Sequence, residues 1–175
     1  MYAKISIDFD FKQFLDAKYT EYETISIRIW NDSNKNSSLP QLKSPLPDTY
    51  CWENVKMKQI LWNLNKIDVD RLSKLLNMDI SSVTSIMQPP GSIIPPHVDS
   101  FFQLRKKYPD RPNPVRAVIF AEDWKLGHFL QCNNDVYTHW KCGDGVIVDR
   151  EQYHLSANAG VEDKHTVQVS GFLND

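Results

Sequence analysis

The sequence predicts a mainly β protein with N-terminal helices, and three observations carry that expectation. After residue 80, short runs rich in apolar and β-branched residues follow one another quickly; Gly, Pro, Asn and Asp clusters separate them; helical periodicity is confined to the part before. Many short strands with closely spaced turn signals describe a double-sheet jelly roll. A parallel α/β sheet would alternate its strands with helices instead.

Each element follows from its own pattern. Residues 9–19 place Phe11, Phe14, Leu15 and Tyr19 at near-helical spacing, which predicts a short amphipathic helix. Residues 24–30 alternate Ile25, Ile27 and Ile29 with Ser26 and Arg28, the pattern of a half-buried strand. Residues 31–47, rich in Asn, Ser and Pro, read as an exposed loop. Residues 56–78 carry helical periodicity in two pieces, one marked by Val55, Ile60, Leu61 and Leu64, the other by Val69, Leu72, Leu75 and Leu76. Asp68 or Asp70 is placed to cap the second piece. Strands are then expected at 82–88, 93–99, 115–121, 128–132, 136–141, 145–149 and 164–172, with turns at Gly127, Asn133-Asn134 and Gly143-Asp144-Gly145. There is no internal repeat, and the polar loop is too short to link two folded units. The expectation is one domain over 1–175, in which residues 1–80 buttress a jelly-roll core formed by 81–175.

Composition narrows the function classes. At 175 residues and 41% hydrophobic content, the chain can build one sizeable core. Formal net charge is −2 and the cations are scattered, which excludes the footprint of general nucleic-acid or membrane binding. The one concentration, Arg105-Lys106-Lys107 followed by Arg111, is short and reads as a solvated face. Acidic residues stand where a secretory leader would need an apolar run, and no stretch approaches membrane-spanning length. Cys51, Cys132 and Cys142 lack C-x-x-C spacing, which argues against disulfides or a Cys-rich zinc site and for buried free thiols. A cytoplasmic location is expected.

Chemistry enters at Pro95-Pro96-His97-Val98-Asp99. Residues at i and i+2 of a strand share a face, so His97 and Asp99 can grip one metal ion from one side. A stiff approach, in which the prolines fix φ and constrain their predecessors, suits a preorganised ligand. With five His in the chain, such a pair arises by chance about half the time, so context must decide. His154 follows a turn and a buried strand, 145–149, and a polar turn at Arg150-Glu151-Gln152. Two imidazoles and one carboxylate on one face, with the opposite positions open, is the ligand set of non-haem iron(II) in oxygen-activating enzymes. Ten residues past His154, Lys164 opens a strand whose alternate residues Lys164, Thr166, Gln168 and Ser170 are all polar, which suggests a site between the sheets; an edge strand facing water is the plain alternative. His165 has the opposite parity and should face away, His128 and His139 read as structural, and the five Trp as core or pocket wall.

Through PPGSIIPPHVD, WKCGDGVIVDREQYH, RAVIFAEDWKLGHF and the basic residue ten after the distal histidine, residues 82–172 resemble the iron(II)/2-oxoglutarate-dependent oxygenase superfamily. Within it they look nearest to the aspartyl/asparaginyl β-hydroxylase branch and small phage-type relatives. The resemblance implies a double-stranded β-helix (jelly-roll, cupin-like) core, with Fe(II) on His97, Asp99 and His154 and 2-oxoglutarate as co-substrate. Its distal carboxylate would meet a cation on the last strand, here Lys164 with the Thr166 hydroxyl beside it. The branch carries Arg at that place, and Lys offers a point charge where Arg offers a fork. Arg116, matching a middle-strand arginine of the branch, is the other candidate anchor. The implied reaction is hydroxylation of a small-molecule or peptide substrate by O2 with release of succinate and CO2. Asp99 argues against a halogenase, which would need that position vacant. The segment 100–114 joins the aromatic pair Phe101-Phe102 to the basic cluster and reads as part of a substrate entrance; simple packing of Phe101, Phe102 and Leu104 onto the core is the alternative. A cupin-like binding protein and a zinc hydrolase are the rival classes.

Overall fold

A computed structural model describes residues 2–19, 23–24 and 52–174. The strand expected at 24–30 and the loop at 31–47 lie outside them, apart from Thr24. In chain order the elements are β1 (Tyr2–Ser6), α1 (Lys12–Leu15), β2 (Glu23–Thr24), β3 (Lys56–Leu61), α2 (Val69–Leu76), β4 (Met78–Gln88), β5 (Ser92–His97), α3 (Phe102–Lys107), β6 (Val115–Phe120), β7 (His128–Cys132), β8 (Asp135–Tyr137), β9 (Asp144–Val148), β10 (His154–Asn158) and β11 (Lys164–Leu173). Among the described residues no helix is long and apolar enough to cross a membrane.

The strands form two antiparallel sheets, a large one in the order β1-β9-β6-β11-β4-β3-β2 and a small one in the order β5-β10-β7-β8. From β4 onward the chain crosses repeatedly between them: β4, β6, β9 and β11 lie in the large sheet, and β5, β7, β8 and β10 in the small one. That alternation defines the jelly-roll, double-stranded β-helix core that the sequence predicted.

Strand parity divides the apolar residues into two cores. One face of the large sheet presents Val83, Ala117, Ile119, Ile147, Val167 and Val169 to Phe11, Phe14, Leu72 and Leu76. The opposite face turns Val118, Phe120, Val146 and Val148 toward Leu130, Cys132 and Trp140 between the sheets. Central strands of the large sheet are therefore buried on both sides, and the N-terminal part covers the outer one. In α2, Leu72 and Leu76 supply the buried stripe. Asp68 accepts from the Arg71 amide at 3.1 Å to close its start, and Asn77, at φ 51°, closes its end in the left-handed region.

Two expectations fail in the N-terminal half. The first helical piece is instead the strand β3, pairing with β4 from Lys58 opposite Met87 to Leu61 opposite Thr84. Its apolar residues fit either period, and the open edge of β4 decides for strand, because pairing satisfies backbone groups that a helix there would leave unmatched. The helix over 9–19 shrinks to the four residues of α1, which suffice to bury Phe14. Cys132 is buried, but Cys142 is exposed, against the expectation of buried thiols.

Candidate metal centre

β5 and β10 end and begin side by side, with His97 paired directly to His154 and their rings 4.2 Å apart. His97 Nδ1 donates to Pro95 O at 2.8 Å, and His154 Nδ1 donates to Gln152 O at 3.1 Å. A carbonyl can only accept, so each Nδ1 carries a proton and each ring is oriented with Nε2 as its candidate ligand atom. Gln152 is itself anchored, its Oε1 accepting from the Asp149 amide at 2.9 Å.

β5 stops at His97, so Asp99 lies just past the strand, not at its i+2 position as the sequence suggested. It still reaches both rings, with Oδ1 3.9 Å from His97 Nε2 and Oδ2 3.8 Å from His154 Nε2. Arg116 pulls it there, Nη1 donating to Oδ1 at 2.8 Å while Nε donates to Ser170 Oγ at 3.0 Å. Burial raises the Asp99 carboxyl, but Arg116 and the two imidazoles outweigh it and hold the pKa below its ordinary value. Burial, reinforced by His154, pushes His97 down to about 3. Near neutral pH His97 is thus uncharged and Asp99 anionic. Asp99 Oδ2 and His154 Nε2 are buried without a hydrogen-bond partner, a desolvation cost that a bound cation would remove. The three side chains offer ligand atoms within 4.8 Å of one another, a set able to hold a metal ion.

A cavity of about 210 Å³ opens beside this centre, bounded by His97, His154, Arg116, Ser156, Thr166 and Gln168, with Met57 and Gln59 of β3 on the far wall. β10 presents His154 and Ser156 on one face, so Ser156 lies about 6.6 Å along the strand from the ligand. Ser156 donates to Gln88 Oε1 at 2.5 Å and accepts from Lys164 Nζ at 2.6 Å. Lys164, only 1% exposed, sits behind Ser156 rather than on the cavity wall, and also donates to Phe129 O at 2.6 Å. It has no carboxylate partner among the described residues, and burial pushes its amine down to about 7. Thr166 and Gln168 face the cavity while Val167 and Val169 point into the outer core, the parity the sequence displayed.

The remaining predicted residues separate from the site. His165 faces away and pairs with Glu122 at 2.9 Å. His128 is buried with Nε2 3.0 Å from Glu162 O, and His139 stacks on Trp124 at 4.1 Å. Phe101 is buried with φ 49°, whereas Phe102 is 64% exposed, so only the first of the aromatic pair packs inward as a core residue. Sequence reasoning missed Ser156 and Gln88. Ser156 shares the parity of His154, and Gln88 ends β4 as its one amide, after the apolar pair Ile86-Met87; either signal would have found them.

No protein-family model matches the sequence, and neither does any curated protein. Solved structures do match. A prolyl-4-hydroxylase from Pseudomonas putida aligns over 99% of this chain and 92% of its own, with 13% identity and a TM-score of 0.55. The non-haem α-ketoglutarate-dependent epimerase SnoN of nogalamycin biosynthesis aligns over 98% and 77%, with 10% identity and the same TM-score. The cupin domain of Cnp3 from Schizosaccharomyces pombe fits less well, at 13% identity over 68% and 73%, with a TM-score of 0.42. At these identities the likeness is one of fold alone.

Proposed function

We propose that the chain is a non-haem iron(II)/2-oxoglutarate-dependent dioxygenase acting as one domain in the cytoplasm, nearest the aspartyl/asparaginyl β-hydroxylase branch by its motif residues. The observation that carries this reading is the convergence of two imidazoles and one carboxylate, two of their buried atoms without a hydrogen-bond partner, next to a cavity backed by a buried lysine that has no carboxylate partner among the described residues. Iron(II) with 2-oxoglutarate supplies oxidative decarboxylation to succinate and CO2 and delivery of one oxygen atom to a substrate C–H bond.

The protein's own groups do the rest. Carbonyls of Pro95 and Gln152 fix the ring tautomers, and Arg116 keeps Asp99 ionised and aimed. The roughly 6.6 Å from His154 to Ser156 along β10 suits a five-carbon diacid whose distal carboxylate would meet Ser156 and Thr166 on the cavity wall, with the Lys164 charge behind Ser156. Lys164 is favoured as the anchor over Arg116, because the Arg116 charge is already met by the Asp99 carboxylate, whereas Lys164 bonds only to a hydroxyl and carbonyls that leave its charge uncompensated. A hydrolytic zinc site would leave such a buried cation without a purpose.

The test is succinate formation from 2-oxoglutarate under aerobic, iron(II)-supplemented conditions. Slow uncoupled succinate release in the wild type, absent from His154→Ala, is the expected result. Iron binding with neither 2-oxoglutarate binding nor succinate would instead make this a cupin-like binding protein.

A further inference from the structure

Two loops flank the metal end of the barrel: residues 98–114 leave β5 beyond His97, and residues 149–153 lead into His154. Between them runs a groove of about 610 Å³ whose wall includes the exposed Phe102 and four cations, Arg105, Lys106, Arg111 and Arg150, and no carboxylate. Arg111 is bonded to Asp79, but Arg105, Lys106 and Arg150 have no ion pair among the described residues, in a chain of net charge −2. The groove adjoins a second, of about 660 Å³, which shares Arg111 to Pro114 and Arg150 and adds Asp110, Asp149 and Glu151. Pro114 lies on both grooves and stands two residues before Arg116, which borders the metal cavity.

We propose that these two adjoining grooves together dock an extended peptide segment of the substrate, acidic where it meets Arg105, Lys106 and Arg150, and basic where it meets Asp110 and Glu151. The docking claim stands on the groove itself; that the docked chain is a substrate rests on the oxygenase reading. Charge pattern selects the occupant. Single-stranded nucleic acid would meet the cations and Phe102 favourably, but its uniform negative charge would be repelled along the acidic half. A compact anion would occupy one half and leave the other unused. A polypeptide can change sign along its length, and Arg forks match its carboxylates. The prolines at 109, 112 and 114 stiffen the wall, so little loop entropy is lost on binding.

The probe is a fluorescent peptide of four glutamates, one glycine and four lysines, followed by anisotropy at low ionic strength with metal-free and Mn(II)-loaded protein. Controls are the same residues in alternating order and an oligothymidylate. The block peptide should bind both protein forms. The double variant Arg105→Ala, Arg150→Ala should weaken binding roughly ten-fold, while Lys66→Ala, an exposed lysine elsewhere, leaves it unchanged. Mn(II) should broaden the peptide's proton resonances, placing it at the barrel mouth. No block-peptide binding, equal binding of the alternating peptide, or tighter binding of oligothymidylate would each overturn the proposal, as would peptide binding without Mn(II) broadening on Mn(II)-loaded protein. If the chain takes up no Mn(II) at all but still binds the block peptide, the oxygenase reading fails while the groove assignment stands.

Discussion

At the residue scale, the centre is defined by which polar atoms are satisfied and which are not. Pro95 and Gln152 occupy both Nδ1 atoms, and Arg116 occupies Asp99 Oδ1, leaving His154 Nε2 and Asp99 Oδ2 for a cation. Replacing His97, Asp99 or His154 singly by Ala should therefore drop bound iron, measured by elemental analysis of anaerobically loaded protein, from stoichiometric to background, because two ligands cannot hold a labile ion. Retention of iron in His154→Ala would refute the ligand set. Arg116 and Lys164 give separable outcomes. Arg116→Ala should weaken iron affinity about 10–100-fold by freeing Asp99. Lys164→Ala should leave iron in place and raise the 2-oxoglutarate requirement about ten-fold to over a hundred-fold, the worth of a charge-assisted hydrogen bond in a sheltered site. Titrations of both variants with each ligand decide it, and the opposite pattern would make Arg116 the anchor. That His97, Asp99 and His154 come together was legible because metal-ligand chemistry is written in residue type. What the sequence lacked was Asp99's release from the strand, which depends on an arginine from β6 that no local pattern predicts.

At the element scale, the jelly roll was readable because its strands are short, alternating and bounded by turn residues; six of the seven expected beyond residue 80 recur within a few residues of their bounds, and the seventh, expected at 136–141, survives as the three-residue β8. β3 was not, since a strand next to the sheet's short outermost strand β2, with mixed burial, lacks a clean period and takes its form from the partner it meets. β10 was hidden for a related reason: His154, Ser156 and Asn158 face inward as polar residues, which inverts the usual pattern. The turn after β10 is held by a close approach of backbone. Gly127 has φ 88°, and a Cβ on it would fall 2.4 Å from Gly160 N; a Cβ on Gly160 would fall 2.2 Å from Leu126 O. Gly160→Ala must therefore displace backbone just ahead of Lys164, and should cost about 2–4 kcal/mol in urea unfolding. Gly91→Ala, where a Cβ meets nothing and only the positive φ is unfavourable, should cost about 1 kcal/mol. Equal costs at the two positions would show that the turn yields freely.

At the scale of the whole molecule, the space between the sheets is split between an apolar core around Phe120 and Trp140, stacked at 3.7 Å, and a polar half containing Lys164, Ser156, Gln88 and Asn158. Hydrogen bonds satisfy that polar half, but they do not neutralise its cation, so the folded state carries a protonation penalty. The sign follows from linkage. Lys164 titrates at about 7 when folded and near its ordinary 10.5 when unfolded, so between those values the unfolded chain binds the extra proton and stability rises with pH. Cys132, pushed up to about 12 by burial, acts in the opposite sense once unfolded thiols ionise, which confines a clean reading to about pH 7–8.5. Within that window the metal-free protein should gain up to about 1.4 kcal/mol per pH unit from this one group, read as the pH dependence of the urea midpoint. Lys164→Met, which keeps the aliphatic stem and removes the amine, should flatten the slope. 2-Oxoglutarate binding should recharge the amine, taking up protons that calorimetry in buffers of different ionisation enthalpy detects. If wild type and Lys164→Met share one slope, the amine stays charged without an anion, and the distal-carboxylate role loses its physical basis.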